Sequence, residues 1–140
     1  MNARNEFPLC WPDGLPRAAE HLPPKERWHM SAAVWALKDS LGLFAKETGL
    51  PVTDLVISSN VSIGVARPSD PGVAVYFNWD GAERCIAVDR YRLPEANVRS
   101  IYKVIEARRA ELKVCGLDHV RAAMLGTLVQ EVEDEAARAS

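Results

Sequence analysis

The chain has 140 residues, of which 48% are hydrophobic and 26% are charged, and its formal net charge is −2. Such a chain predicts one domain with a single hydrophobic core, which excludes a multi-domain machine and a wholly disordered protein. We expect a cytoplasmic protein, because no secretory signal or bilayer-spanning apolar run is visible. Three widely spaced cysteines without a CxxC pair predict reduced thiols in the same compartment: Cys10, Cys85 and Cys115.

A proline-rich stretch opens the chain, with five of its nine prolines between residues 7 and 24. Because proline lacks an amide donor and fixes φ, this stretch predicts neither a helix nor a central strand. Apolar residues interleave with the prolines, namely Phe7, Leu9, Trp11 and Leu15. We therefore predict an extended arm over residues 1–28 that docks on a domain covering residues 29–130.

The first helix is predicted over residues 31–48, where apolar residues recur at three- and four-residue spacing. Its apolar face holds Val34, Leu37, Leu41 and Phe44. Two tryptophans, Trp35 on this helix and Trp79 in a later strand, are expected in or beside the core.

Three strands are predicted next. Residues 54–66 alternate without losing parity, which favours one long strand, with a hairpin at Ser58–Asn60 as the alternative. Residues 72–79 and 83–89 flank Asp80-Gly81, a strong two-residue turn signal, so these two strands are expected to pair antiparallel.

Two helices are predicted to complete the fold. Pro94 opens the first, which ends at Cys115-Gly116. The second covers residues 117–137, with a stripe of Val120, Met124, Leu128 and Val132, and residues 131–140 form an acidic end. The predicted class is α+β, with both C-terminal helices on one sheet face, which leaves the other face or the edges free for a partner.

Charge is unevenly distributed along the chain. Residues 84–113 hold eight basic and four acidic residues, net +4, whereas residues 116–140 are net −3. This segment favours a solvated helix face balanced by the acidic third helix, with a nucleic-acid surface as the alternative, formed by Arg90, Arg92, Arg99, Lys103 and Arg109. Trp28 is either an anchor for a protein partner or a staple between arm and helix.

Catalytic signatures are weak. The spacing Glu111-Leu112-Lys113, with Asp89 upstream, allows a Mg²⁺-dependent nuclease, although such carboxylates belong on strands and Glu111 is predicted on a helix. No nucleophile elbow or phosphate-binding loop is present. We expect no cofactor and no metal.

Several sequence blocks occur in a fixed order: Phe7-Pro8-Leu9, Trp11-Pro12-Asp13-Gly14, residues 56–61, residues 70–77, Asp89-Arg90-Tyr91, residues 97–101 and residues 105–109. This set resembles uncharacterised bacterial phage and mobile-element proteins, many of which carry a J domain after this region. The resemblance implies a phage or integrated-element origin and no known activity. The His-Pro-Asp tripeptide of a working J domain is absent, so chaperone stimulation is not implied. Within these blocks, the polar positions Asp89, Tyr91 and Asn97 are candidates for a site.

The leading hypothesis is a non-enzymatic mobile-element protein that binds a host or element-encoded protein, or a protein–nucleic-acid assembly. It would act in element replication or in countering host defence. The alternatives are the Mg²⁺-dependent nuclease and a direct DNA- or RNA-binding protein. A homodimer joined through a sheet edge or the third helix is a further possibility.

Overall fold

The computed structural model describes residues 4–129 and confirms the α+β class. Its helices are α1 (Met30–Thr48), α2 (Pro94–Cys115) and α3 (Leu117–Ala123), and a 3-10 turn follows at Met124–Thr127. Its strands are β1 (Thr53–Ser59), β2 (Val73–Trp79) and β3 (Ala82–Val88), which form one antiparallel sheet in the order β1-β2-β3.

The central strand β2 carries the core. Its alternate residues face the helices and are at most 1% exposed: Val73, Val75, Phe77 and Trp79. The rings of Phe44 in α1 and Trp79 lie 5.1 Å apart, centroid to centroid, in a tilted arrangement. Burying each such side chain contributes roughly 1.5–3 kcal/mol, so this layer dominates the stability of the fold.

The arm lies on the other face of the sheet, so of the two surfaces predicted to be free, this face or the edges, the face is covered by the chain itself. The Cys10 amide donates to Ser58 Oγ at 2.7 Å, and the Tyr76 hydroxyl donates to the Cys10 carbonyl at 2.7 Å. Arg4 lies over the Tyr76 ring, 4.8 Å from its centroid. Burial raises the pKa of the neighbouring Cys85 thiol to about 12, so this thiol stays protonated at neutral pH.

Strand β1 ends at Ser59, so the prediction of one strand over residues 54–66 is wrong in its second half. The Asn60 side chain leaves the strand path to accept from the Leu9 amide at 3.0 Å. Ser62 and Val65 then close a tight turn through two main-chain hydrogen bonds, with Gly64 at φ 86°. The turn residues and the contact with the arm therefore end the strand, although the alternating pattern of apolar residues continues. As a result, Ile63 lies fully exposed.

The third helix is also shorter than predicted. α3 ends at Ala123, and the Thr127 hydroxyl donates to the Met124 carbonyl at 2.6 Å in the 3-10 turn. Leu128 is extended and forms a bridge with Arg84, so pairing with the edge of β3 replaces the helix. The predicted acidic end, residues 131–140, lies outside the described residues.

Trp35 is 68% exposed, so its predicted place in or beside the core is wrong. The buried residues of α1 define the opposite side of the helix: Ala33, Ala36, Leu37, Ser40, Leu41, Phe44 and Thr48. Trp35 falls about half a turn from the middle of that set, because successive residues are rotated by about 100°.

An ion-pair network joins α1 to α2. Arg109 donates to both carboxylate oxygens of Glu47 at 2.9 Å and to Glu106 at 2.6 Å. The Ser40 hydroxyl donates to the same Glu106 carboxylate at 2.5 Å. These hydrogen bonds, that of Ser40 foremost, outweigh burial and lower the pKa of Glu106 below its ordinary 4.5.

We predict that Glu106→Gln weakens the acid sensitivity of the fold. A carboxylate with a lowered folded-state pKa stabilises above its unfolded pKa and loses that contribution as the pH falls through the folded pKa. The free energy of unfolding should therefore fall less in the variant than in the wild type between about pH 6 and about pH 3, by urea titration. Glu20→Gln, at an exposed arm residue, should follow the wild type. Parallel curves for Glu106→Gln and the wild type would contradict the role given to the network.

Candidate nucleic-acid interface

The arm and the start of α2 meet along one side of the protein. The Leu22 amide donates to the Arg90 carbonyl at 2.8 Å, and the Arg92 amide donates to the Leu22 carbonyl at 2.9 Å. Further along, Arg99 pairs with Glu26 at 2.8 Å. Two stretches that are distant in sequence therefore run together, and we call their cations the basic face: Lys25, Arg27, Arg90, Arg92, Arg99 and Lys103.

Aromatic rings hold two arginines of the basic face. The guanidinium of Arg99 lies 4.5 Å from the ring centroid of Trp28, whose ring is 6.3 Å from that of Tyr102. The guanidinium of Arg90 lies 5.9 Å from the ring centroid of Tyr91. Such contacts stabilise a cation without neutralising its charge, so Arg90 keeps its charge unpaired, whereas the charge of Arg99 is paired with Glu26. Trp28 is half-buried and staples the arm to α2.

The remaining cations of the basic face are exposed and, within residues 4–129, form no ion pair: Lys25, Arg27, Arg92 and Lys103. Lys103 lies one turn beyond Arg99 on α2, so the two side chains share a helix surface. Two acidic residues, Glu20 and Glu95, lie near these cations in the sequence. The basic face nevertheless holds more basic than acidic residues. Its exposed Lys and Arg side chains can change conformation to contact an anion.

Arg109 stands apart from the predicted surface. It lies ten residues beyond Arg99, about 15 Å along the helix. The network with Glu47 and Glu106 holds it, and its strongest contact, the hydrogen bond with Glu47, raises the pKa of its guanidinium. We therefore leave Arg109 out of the basic face and assign it to the α1–α2 contact.

Of the polar positions Asp89, Tyr91 and Asn97, the last two form a structural cluster, whereas Asp89 contacts the arm. Asn97 is fully buried, accepts from the Tyr91 amide at 2.9 Å and donates to the carbonyls of Tyr91 and Pro71 at 3.0 and 2.9 Å. Every hydrogen-bonding atom of its side chain is thus used by the main chain. The cluster fixes the loop that presents Arg90 and Arg92.

Asp89 fastens the arm to that loop. Its carboxylate is 7% exposed and accepts from Arg17 Nε at 2.7 Å and from the Ala18 amide at 3.0 Å. Arg17 also pairs with Asp70 and lies over the Trp11 ring, 4.4 Å from its centroid. These contacts occupy the carboxylate, which leaves Asp89 a structural role.

The two carboxylates of the nuclease alternative are not brought together. Asp89 precedes α2, whereas Glu111 lies 17 residues into the helix, about 25 Å from its start, and pairs with Arg108 at 2.9 Å. Within residues 4–129, no group of three or more His, Cys, Asp or Glu side chains could hold a metal ion.

Lys25 and Arg27 of the basic face were not among the site residues predicted from the sequence. They lie in the predicted arm, more than 60 residues before α2, and no local pattern links them to it. The sequence offers one signal for their position, the alternating charges of Lys25-Glu26-Arg27. Its acidic member, Glu26, is the ion-pair partner of Arg99 on α2.

Comparisons with protein-family models, curated proteins and solved structures return no significant match. Among residues 4–129, none of the helices is both long enough and apolar enough to cross a membrane.

We predict that Asp89→Ala releases the middle of the arm. The substitution leaves Arg17 without its more buried partner and the Ala18 amide without an acceptor, which should lower the free energy of unfolding by about 1–3 kcal/mol. Tryptic cleavage after Arg17 reports the release directly and should accelerate roughly tenfold for each 1.4 kcal/mol of lost docking. Asp13→Ala, an equivalent change at an exposed arm residue, should leave cleavage unchanged. Equal cleavage of the Asp89→Ala variant and the wild type would remove Asp89 as the fastening point.

Proposed function

We propose that this chain is a non-catalytic binding protein of a phage or other mobile element and that its basic face binds nucleic acid within a protein–nucleic-acid assembly. The observation that carries the proposal is the arrangement of the basic face. The face combines five exposed cations without ion-pair partners in the described residues with the contacts of Trp28 to Arg99 and Tyr102: Lys25, Arg27, Arg90, Arg92 and Lys103.

Phosphate recognition needs positive charge within reach and little else. Nucleic-acid backbones are polyanions, and binding by Lys and Arg releases condensed counterions, which supplies most of the non-specific affinity. Arg92 and Lys103 are free to contact phosphates, while Arg90 and Arg99 are held by aromatic rings. A net charge of −2 for the whole chain favours local binding through this face over coating of nucleic acid by the whole surface.

Single-stranded nucleic acid fits the face better than a duplex groove. The candidate side chains come from an extended segment, a loop and the flank of α2, and none of these elements projects as a free helix that enters a major groove. Exposed bases also provide flat apolar surfaces for aromatic side chains at the edge of the stack.

The resemblance to phage and mobile-element proteins supports the biological context of the proposal, namely a phage or other mobile element. Element replication and resistance to host defence both take place on nucleic acid in the cytoplasm. The docking of a small protein on such an assembly needs a charged face and no catalytic centre. Cytoplasmic location is accordingly part of the proposal.

We predict that Arg92→Glu/Lys103→Glu weakens binding to a labelled single-stranded DNA of about 20 nucleotides by at least tenfold at low salt. Each lost phosphate contact should also flatten the dependence of log K on log salt by about 0.7, so two lost contacts change the slope by about 1.4. Fluorescence anisotropy over a salt series measures both quantities.

The matched control is Arg67→Glu/Lys113→Glu, which changes the same residue types and the same net charge at exposed positions outside the basic face. It should bind within about twofold of the wild type, allowing for long-range charge effects. Equal losses in the two double variants would mean that only total charge matters. Failure of the wild type to bind DNA at low salt would remove nucleic acid from the proposal.

A further inference from the structure

Arg99 is firmly positioned but incompletely hydrogen-bonded. Its side chain is 20% exposed, and its guanidinium lies 4.5 Å from the ring centroid of Trp28. The Nη2 atom of Arg99 lies 2.8 Å from Oε2 of Glu26. Its Nε atom is buried and has no hydrogen-bond partner within residues 4–129. Because a buried N–H without an acceptor is unfavourable, the folded chain leaves a donor of Arg99 ready for a ligand.

Three other arginines show what a complete pair looks like in this chain. Each uses Nε and Nη2 together to bind both oxygens of one carboxylate: Arg4 with Glu83, Arg109 with Glu47 and Arg121 with Asp80. These two nitrogens form a planar fork that matches the oxygen spacing of a carboxylate or a phosphate. At Arg99, by contrast, Glu26 reaches only one nitrogen of the fork.

Glu26 is a partner that another anion can replace. Its side chain is 56% exposed, so water can solvate the carboxylate when it leaves. Ion pairs of this kind contribute little to stability. Arg99 stays in position when Glu26 leaves, because the ring of Trp28 supports its guanidinium independently. The place of the Glu26 carboxylate is therefore open to a different oxyanion.

We propose that Arg99 is the phosphate anchor of the basic face and that Glu26 is its built-in competitor, displaced by a phosphodiester of single-stranded nucleic acid. This inference rests on the proposed function and adds the regulation of the same site. A phosphodiester offers two oxygens to the fork, so it can accept from both Nε and Nη2. Lys103, one turn further along α2, adds a second positive charge beside that phosphate.

A nucleic acid suits this anchor better than an acidic peptide does. A peptide would exchange one carboxylate for another at Arg99. A nucleic acid brings a phosphate at every nucleotide, so other phosphates can reach Arg92 and Lys103 while one displaces Glu26. It also brings bases that stack on aromatic side chains, and Trp28 and Tyr102 lie at the anchor. The competitor thus disfavours single small anions more than it disfavours a polyanion.

The sign of the effect of Glu26→Gln tests the inference. The variant keeps the size of the side chain and removes the competing charge, so affinity for the labelled 20-nucleotide single-stranded DNA at low salt should rise about three- to fivefold. If Glu26 served only to hold the arm, its loss would loosen the basic face and lower the affinity. Glu20→Gln removes the same charge from an exposed arm residue and should change the affinity by about twofold or less.

Arg99→Lys provides the second test, because lysine keeps the positive charge and lacks the planar fork. Alone, it should weaken binding of the same DNA by about threefold or more. In the Arg99→Lys background, Glu26→Gln should have no larger effect than Glu20→Gln has, since the fork for which Glu26 competes is gone. An undiminished gain from Glu26→Gln in that background would overturn Arg99 as the anchor.

The outcomes separate this inference from the proposed function. If the wild type and Glu26→Gln both fail to bind DNA, both proposals are overturned. If the wild type binds and Glu26→Gln binds equally or more weakly, the competitor alone is overturned. Inorganic phosphate, titrated at constant ionic strength, should displace the DNA only at about millimolar concentrations, because a single anion cannot contact several cations. Displacement at micromolar concentrations would assign the anchor to free phosphate and overturn its role in binding nucleic acid.

Discussion

The central strand β2 is buried on both faces, and this constraint organises the molecule. Strand β2 packs against α1 and α2 through Phe77 and Trp79, yet Ala74 and Tyr76 on its other face are also at most 2% exposed. If this sheet face were exposed, it would form an apolar patch prone to association or aggregation. The helices all lie on one side, so the proline-rich arm must supply the second cover. It does so through hydrogen bonds between its main chain and side chains of the sheet, as at Cys10 with Ser58 and Tyr76, and through ion pairs, as at Arg17 with Asp89.

The basic face forms because the arm packs on this second face of the sheet. The arm is fastened at Asp89 and continues beside the start of α2, where Leu22 pairs with the main chain of Arg90 and Arg92 and Glu26 pairs with Arg99. The same contacts that bury the sheet therefore assemble the proposed interface. Stability of the docked arm and affinity for a polyanion become linked quantities, because a detached arm would disperse part of the positive charge.

Local sequence patterns were sufficient to predict most of the helices and strands. Helix α1, the β2–β3 hairpin and helix α2 follow from spacing, turn residues and Pro94, since each depends on residues near in sequence. The errors arise where distant segments meet: Asn60 leaves its strand to accept from Leu9, and Leu128 pairs with Arg84. The site was partly predictable for the same reason. Its cations on and before α2 share a local segment, whereas those of the arm reach them only through the tertiary fold.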